Sequence, residues 1–408
     1  GCLEGGDVVT VTDTDQLRYR FRGGETWREP WDDYRWLRDH DPVHRVDHPT
    51  QGTFWVLSRF DDVFDAVRDT ATFSSAQGLT PDSDVMGFFE GQAAPLVMLD
   101  PPEHTAMRRL VSRPMTPSRV DALAPTIAAF VDERLGRLAE LSGGGSPVDV
   151  VEVLLKPLPS MLVAHFLGIP EQDRGRFDGW TDAIVAANSR EDLGSAMHAF
   201  AELFAYSESL IERRRTDPGD DVVSDLVTAD VDPRWITGFV FTMIAGGNDT
   251  TTGLLGGSLE LLTARRDQRL LLIEDLSLVR PAVDELLRLT SPVQNLARTA
   301  TVEVERAGVR IPAGAKVMLL YGSANRDERQ YGPTADELDV TRNPERILSF
   351  GYGAHHCLGA AVARLAATIT LERILERFPD FVVDAASGRF APGPYVRRYE
   401  TLPFLGVP

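Results

Sequence analysis

One stretch of ten residues combines side chains that can bind a metal. Residues 350–359 read FGYGAHHCLG, with one cysteine, two histidines, three glycines and one phenylalanine. A lone cysteine is usually a small buried hydrophobic residue, so its surroundings decide its role. The residues after Cys357 have apolar side chains at helical spacing, which places the sulfur at the N-terminal end of a helix. There the helix dipole and the free amides favour the thiolate, the form that binds metal.

Two kinds of metal site are compatible with a thiolate at Cys357. A tetrahedral zinc site would use the adjacent His355 and His356, but it needs two further well-placed ligands, and no second cysteine lies nearby. A haem iron needs a single thiolate, a glycine loop that approaches a flat ligand, and an aromatic cover. The local sequence therefore favours haem over zinc.

A second segment places polar residues inside an apolar helix. Residues 234–264 have helical periodicity, and their mostly apolar run at 239–245 is too short to span a bilayer, so we expect a buried core helix. Its centre reads GGNDTT. The two glycines are compatible with close helix packing. Asp249 beside Thr250, at a point where the hydrogen-bond ladder is weak, is equally compatible with proton delivery into a dry pocket.

Helical periodicity dominates the remainder of the chain and predicts a mainly α protein. The helical segments are 119–141, 195–215, 234–264, 279–289 and 358–378. Strand-like segments are short, at 53–58, 300–312, 315–321 and in the tail from residue 380. We therefore expect the sheets to be small and peripheral.

Composition excludes some classes of protein. The chain has 42 Lys and Arg against 61 Asp and Glu, a net charge of −19, which argues against nucleic-acid binding. Its two cysteines stand at opposite ends and cannot form a disulfide framework, so we expect a reducing, cytoplasmic location. The N-terminal residues do not resemble a signal peptide or a membrane anchor.

Together these segments resemble the cytochromes P-450. Residues 350–359 match the signature F-G-x-G-x-H-x-C-x-G of that family at each specified position. AGGNDTT at 245–251 resembles its oxygen-activating helix motif, and ELLR at 285–288 resembles its E-x-x-R motif. DPPEHTAMRRLV at 100–111 and ARTAT at 297–301 resemble the haem-propionate segments of soluble actinobacterial members, including mycobacterial ones.

The resemblance implies the fold and the reaction. It implies a cytochrome P-450 fold, an α-helical bundle around a buried haem with small peripheral β-sheets, as one domain over residues 27–408 after an N-terminal extension, residues 1–26. The implied enzyme is a haem-thiolate monooxygenase that inserts one atom of O2 into a lipophilic substrate. A peroxygenase or coupling enzyme, and a non-catalytic haem ligand-binding protein, stay open as alternatives.

The resemblance also assigns site residues. Cys357 is the expected ligand of the haem b iron, and Asp249 and Thr250 are the expected proton-delivery pair. Further residues are expected to contact the haem: His104, Arg108, Arg298 and His355 at the propionates, Phe350 beside the sulfur, and Ala245, Gly246, Gly351, Gly353, Leu358 and Gly359. Glu285 and Arg288 are the expected structural ion pair. The usual third member, P-x-R-F, reads ADEL here, and Arg342 is the candidate replacement.

Substrate contacts are expected in an apolar loop that contains residues 86–89, on the Thr250 face of its helix and at further positions that the resemblance implies, and partner contacts are expected at arginines. The expected substrate contacts are Met86, Phe88, Phe89, Thr242, Val293, Gln294, Leu296, Tyr395 and Val396. Electrons are expected from NAD(P)H through a separate ferredoxin and its reductase. The expected docking face for the ferredoxin is basic and contains Arg109, Arg113 and Arg364, since a basic face would steer an acidic protein.

Overall fold

The computed structural model describes residues 19–81, 93–143, 145–177, 179–180 and 193–406, with the backbone alone for residues 193–197. Cys2 and three predicted substrate contacts, Met86, Phe88 and Phe89, lie outside the described residues.

Helices dominate the described chain. They are α1 (Trp31–His40), α2 (Phe60–Arg68), α3 (Glu103–Val111), α4 (Pro117–Asp121), α5 (Ala124–Ser142), α6 (Pro157–Phe166), α7 (Leu193–Thr216), α8 (Val222–Thr228), α9 (Pro233–Ala264), α10 (Arg266–Glu274), α11 (Val279–Thr290), α12 (Tyr321–Ala324), α13 (Glu328–Tyr331) and α14 (Ala360–Arg377). Four predicted segments match α7, α9, α11 and α14 to within two residues at either end. The fifth, 119–141, spans α4 and α5, which are separate helices.

The strands are short, as predicted. They are β1 (Val43–His48), β2 (Gly52–Leu57), β3 (Phe73–Ser74), β4 (Val148–Asp149), β5 (Leu296–Ala300), β6 (Val304–Arg306), β7 (Val309–Ile311), β8 (Lys316–Leu319), β9 (Val382–Val383), β10 (Arg389–Phe390), β11 (Tyr399–Thr401) and β12 (Pro403–Leu405). One sheet has the order β1-β2-β8-β5-β3, with β2 and β8 parallel and the other pairs antiparallel. The remaining strands form β4-β12-β9 and the pairs β6-β7 and β10-β11.

Helix α9 runs through the main hydrophobic core and carries the central GGNDTT segment. It begins at a capped end, where the Asp232 carboxylate accepts a hydrogen bond of 2.8 Å from the backbone N–H of Arg234, and Pro233 occupies the first turn. The helix packs against α6, α7, α11 and α14. Apolar side chains therefore appear around most of its circumference, as expected for a buried helix.

The predicted ion pair lies fully buried on α11. Arg288 Nε is 2.7 Å from Glu285 Oε2, and both side chains are 0% exposed. Arg342 Nε lies 3.0 Å from Glu285 Oε1. Arg342 thus fills the third position that the ADEL segment leaves without an arginine.

The ion pair is connected to the cysteine segment through Asn325. Arg288 donates a hydrogen bond of 2.7 Å to the Asn325 backbone carbonyl. The Asn325 side chain accepts from the Leu348 backbone N–H at 2.7 Å and donates to Ser349 Oγ at 2.9 Å. Because Leu348 and Ser349 directly precede Phe350, the position of the cysteine segment depends on this network.

The described end of the N-terminal extension contacts the domain. The rings of Tyr19 and Phe54 meet edge to face with centroids 5.9 Å apart. Trp27, the first residue of the predicted domain, is buried, and its indole N–H donates to the Gly393 carbonyl at 2.8 Å. The division of the chain at residue 27 stays a prediction.

Among the described residues, none of the helices combines the length and the apolar character that crossing a membrane requires.

Replacing Arg342 by Met removes one of the two cations that neutralise buried Glu285 while keeping much of the side-chain volume. Breaking a buried ion pair leaves a charge without compensation, so we expect the free energy of unfolding to fall by about 3 kcal/mol. The shift of the urea unfolding curve measures this change.

The matched control is Arg310→Met, because Arg310 is 76% exposed and its carboxylate partner is 4.0 Å away. We expect this control to change the free energy of unfolding by no more than about 0.5 kcal/mol. Equal shifts for the two variants would show that Arg342 makes no special contribution.

Candidate functional site

A large cavity lies between α9 and the cysteine segment. Its walls come from α3, α6, α9, the start of β5 and residues 349–359. The cavity holds about 1710 Å³ of space without protein atoms, counting the part open to solvent. Cys357 and Thr250 both line this cavity, so it brings the cysteine segment and the central segment of α9 together.

The cysteine segment is a tight loop that ends at a helix. The Cys357 backbone N–H donates to the Phe350 carbonyl at 2.8 Å, and α14 begins three residues after the cysteine. Gly351 and Gly353 have φ values of 62° and 70°, a left-handed conformation that favours glycine. A Cβ atom on Gly353 would also lie 3.3 Å from the Cα of Arg68, so glycine keeps the loop close to α2.

Opposing effects act on the pKa of Cys357, whose side chain is exposed at the cavity wall. The surrounding protein raises the pKa of the thiol, because it removes water from the sulfur. A hydrogen bond from the Gly359 backbone N–H and the positive charges of Arg108 and Arg364 act in the opposite direction. A positively charged metal next to the sulfur would strengthen this opposition and favour the thiolate.

A group of four basic side chains lines another part of the cavity: His104, Arg108, Arg298 and His355. His104 is buried, neither of its ring nitrogens has a hydrogen-bond partner, and its ring centroid is 4.2 Å from that of His355. Burial is the main cause that lowers the pKa of both histidines, to about 3 for His355, with further lowering from Arg108 at His104 and from Arg298 at His355. Both rings are therefore neutral near pH 7 and can donate hydrogen bonds.

These side chains fit a haem. Two guanidinium groups and two neutral imidazoles suit a ligand with two carboxylates, and the free nitrogens of His104 indicate that an acceptor belongs there. In the described part of the chain, no group of three or more His, Cys, Asp and Glu side chains could hold a metal ion. Cys357 therefore lacks, among those residues, the protein ligands that tetrahedral zinc requires.

Helix α9 presents Gly246 and Gly247 to the cavity, and Gly247 also packs against a neighbouring helix. A Cβ atom on Gly247 would lie 2.6 Å from Val163 Cγ2 on α6. Gly246 lines the cavity, and a Cβ atom there would meet nothing within 4 Å. The predicted close helix packing therefore applies to Gly247 and not to Gly246.

Asp249 and Thr250 have different surroundings. Thr250 lines the cavity, and its hydroxyl donates to the Gly246 carbonyl at 2.9 Å. Asp249 is not part of the cavity wall; its carboxylate pairs with Arg398 Nε at 2.7 Å, and both side chains are 14% exposed. Arg398 was not found from the sequence, because no motif surrounds it in the tail.

Most of the other predicted site residues do lie together. The cavity wall includes Thr242, Val293, Leu296, Phe350, Gly351, Leu358 and Gly359, in addition to the basic group, Gly246 and Cys357. Three predicted contacts, Gly353, Ala245 and Gln294, are not part of it. Gly353 packs against α2, and Ala245 packs against the main hydrophobic core.

Gln294 is held by its neighbours and not directed at the cavity. Its side chain is fully buried, donates to the carbonyls of Thr290 and Ser291, and accepts from the Tyr34 hydroxyl at 3.1 Å. Its predicted place among the substrate contacts is not supported, because two backbone carbonyls use its amide nitrogen and the Tyr34 hydroxyl uses its amide oxygen.

The predicted tail residues also lie off the cavity wall. Tyr395 packs against the small cluster that contains Tyr19 and Phe54, and Val396 forms an isolated bridge with Val293. Val396 is therefore next to a wall residue, because Val293 lines the cavity.

The sequence analysis missed one whole side of the cavity. Helix α6 contributes Pro159, Leu162, Val163 and Phe166 to the wall. In the sequence these residues look like any buried apolar helix, so periodicity alone offers no signal that they face a ligand.

The three arginines of the predicted basic face have different surroundings. Arg109 and Arg113 are exposed at α3 and just after it. Arg364 instead pairs with Asp284 at 2.7 Å and lies over the Phe350 ring, 4.6 Å from its centroid. Its charge is already compensated, so Arg364 is a weaker element of a docking face than the other two.

Known proteins are similar to this chain along nearly its whole length. The family model described as cytochrome P-450 matches residues 258–384. Cytochrome P-450 130 of Mycobacterium tuberculosis is 52% identical over 407 residues, which covers 97% of this chain and 99% of that protein. The steroid C26-monooxygenase of Mycobacterium tuberculosis is 35% identical, covering 92% of this chain and 93% of that protein. The structure of cytochrome P-450 CYP109Q5 from Chondromyces apiculatus has a TM-score of 0.83 and 31% identity, covering 94% of this chain and 96% of that one.

Proposed function

This chain belongs to the cytochrome P-450 family and is a haem monooxygenase, and we propose that it oxidises a neutral lipophilic substrate with electrons from a ferredoxin. The predicted family and the predicted fold are confirmed by the curated relatives and by the solved structures. The observation that carries the proposal is the apolar cavity that contains both Cys357 and Thr250 in its wall. A cytoplasmic location stays a prediction.

The chain's own residues would hold the cofactor at both ends. Cys357 would bind the iron as thiolate, supported by the Gly359 N–H, and His104, Arg108, Arg298 and His355 would bind the two propionates. A haem held in this way would activate O2 and allow one oxygen atom of O2 to enter an unactivated C–H bond of the substrate.

Thr250 and Asp249 are our candidates for proton delivery. The Thr250 hydroxyl is at the cavity, and it can pass a proton if its bond to the Gly246 carbonyl opens. Asp249 lies outside the cavity wall in an ion pair, so it has to leave Arg398 before it can exchange a proton with the site. Arg398 is therefore a positioning residue for Asp249.

The cavity lining supports an uncharged substrate. The charged side chains in the described wall belong to the basic group that we assign to the propionates, and the surface contributed by α6 is apolar. Such a lining binds lipophilic molecules through burial of apolar area. A relative at 35% identity is named a steroid C26-monooxygenase, which supports a substrate of this general kind.

The distribution of surface charge supports a ferredoxin as the electron donor. On a chain with a net charge of −19, Arg109 and Arg113 form an exposed basic pair on and next to α3, the helix that also carries His104 and Arg108. An acidic ferredoxin would be steered to such a pair, close to the cofactor end of the cavity. We expect NAD(P)H to supply electrons to that ferredoxin through a separate reductase.

The first test is the carbon monoxide difference spectrum of the dithionite-reduced protein. We expect a strongly red-shifted Soret band, because a cysteinate donates electron density to the haem iron. Cys357→Ser should lose this band, and the control Cys2→Ser, which changes the other cysteine, should keep it. A haem-loaded, folded protein without the band would overturn the assignment of Cys357.

Thr250→Ala tests the proton-delivery role. Without the hydroxyl, we expect less product and several-fold more hydrogen peroxide for each NAD(P)H consumed. The assay uses a substrate whose binding shifts the spin state of the haem iron. Thr250→Ser keeps the hydroxyl and should keep the wild-type ratio of hydrogen peroxide formed to NAD(P)H consumed. An unchanged ratio in the alanine variant would remove this role.

Replacing both Arg109 and Arg113 by Glu tests the docking face. We expect reduction by ferredoxin to slow about 10-fold at low salt, with a smaller effect at high salt because ions screen the attraction. Stopped-flow reduction under carbon monoxide measures the rate. A control with Arg234→Glu and Arg389→Glu changes the net charge equally on other exposed arginines, and an equal slowing would contradict a localised face.

A further inference from the structure

Three threonines of α9 line the cavity, and each has already used its hydroxyl hydrogen. The hydroxyls donate to carbonyl oxygens four residues back: Thr242 to Gly238 at 2.9 Å, Thr250 to Gly246 at 2.9 Å, and Thr251 to Gly247 at 3.2 Å. A hydroxyl has one hydrogen and two acceptor lone pairs. While these bonds last, the α9 wall can accept hydrogen bonds from a ligand but cannot donate them.

The donors of the cavity are grouped elsewhere. The other polar side chains in its described wall lie in residues 349–357 or beside Arg298, His355 or Cys357. Around the threonines the wall is apolar, with Leu162, Val163 and Phe166 from α6 and Phe239 and Met243 from α9. A ligand on this side therefore meets apolar surface and a few acceptor oxygens.

Thr242 is the threonine best placed to recognise a substrate. Thr250 is assigned to proton delivery, and Thr251 is only 7% exposed. Thr242 is half-buried and stands eight residues from Thr250, about 12 Å along the helix axis. It can thus contact a group of the substrate that is distant from the carbon being oxidised.

We propose that Thr242 accepts a hydrogen bond from a hydroxyl or N–H group of the substrate, so that the enzyme prefers a neutral lipophilic alcohol or amide to an analogue that can only accept. A ketone or ether at this point would bring its oxygen against the lone pairs of Thr242 unless the bond to Gly238 breaks. A hydroxyl placed there gains a partner that the surrounding apolar side chains do not offer. The inference rests on the proposed function, because it assigns a substrate class to that site.

Imidazoles with a chain on the ring nitrogen can measure this preference without a known substrate. Their free imidazole nitrogen binds ferric haem iron and shifts the Soret band, which gives a dissociation constant directly. Three matched series are used, with an alkyl, an ω-hydroxyalkyl or an ω-methoxyalkyl chain of increasing length. The hydroxyl can donate, the ether can only accept, and the length series brings the terminal group to different depths of the cavity.

In the haem-loaded wild type we expect one range of chain lengths at which the hydroxyalkyl probe binds more tightly than the methoxyalkyl probe. Thr242→Val should reduce that ratio of dissociation constants by about 3- to 10-fold, the equivalent of one net hydrogen bond. Thr242→Ser keeps the hydroxyl and should keep the ratio. The control Thr237→Val makes the same change at a buried threonine of α9 that is outside the cavity wall, and it should leave the ratio unchanged.

The other outcomes separate this inference from the proposed function. No preference for the hydroxyl at any length, or a preference that Thr242→Val does not reduce, would overturn the role of Thr242 and leave the monooxygenase assignment intact. If even the alkyl imidazoles cause no Soret shift in a haem-replete protein, the haem is not accessible from the cavity. In that case the proposed function fails, and the role of Thr242 fails with it.

Discussion

The protein environment of one thiol is the constraint on which the rest of the structure depends. Removal of water from Cys357 raises its pKa, whereas the form that binds iron is the thiolate. The groups that oppose this effect come from separate parts of the chain: the Gly359 N–H from the cysteine segment, Arg108 from α3 and Arg364 from α14. None of these parts can create the site alone, so the chemistry requires the assembled fold.

The buried ion pair extends this dependence to the centre of the molecule. Charges without access to water are costly unless their hydrogen-bonding capacity is used, and Glu285 uses its capacity on Arg288 and Arg342. Arg288 also reaches the backbone carbonyl of Asn325, whose side chain holds the residues just before Phe350. A substitution at the ion pair therefore acts on the haem site through a continuous path of hydrogen bonds.

Sequence reasoning succeeded where the chemistry is local in the chain. The loop around Cys357 and the helix after it are set by residues within a few positions of one another, and helical spacing places Glu285 next to Arg288. Contacts between distant segments were predicted only where a family motif covers both partners, and contacts without such a motif were missed, such as Arg398 with Asp249 or Arg364 with Asp284. Strand β1 was missed for a related reason, because VHRVDH is polar and forms a strand only by pairing with β2.

Helix α9 shows why neither of two competing interpretations of its centre was sufficient. Both glycines line the cavity, but Gly247 also lets the helix approach α6 closely, whereas a side chain at Gly246 would meet no neighbour and would project into open space. Thr242, Thr250 and Thr251 donate their hydroxyl hydrogens to backbone carbonyls of the same helix, so the apolar wall contains no unsatisfied hydroxyl donors from these residues. The same bonds leave the acceptor lone pairs as the polar contribution of α9 to the cavity, while the donors stay grouped around the basic side chains. A ligand in this cavity therefore meets two chemically different ends, and this asymmetry can orient a substrate as well as bind it.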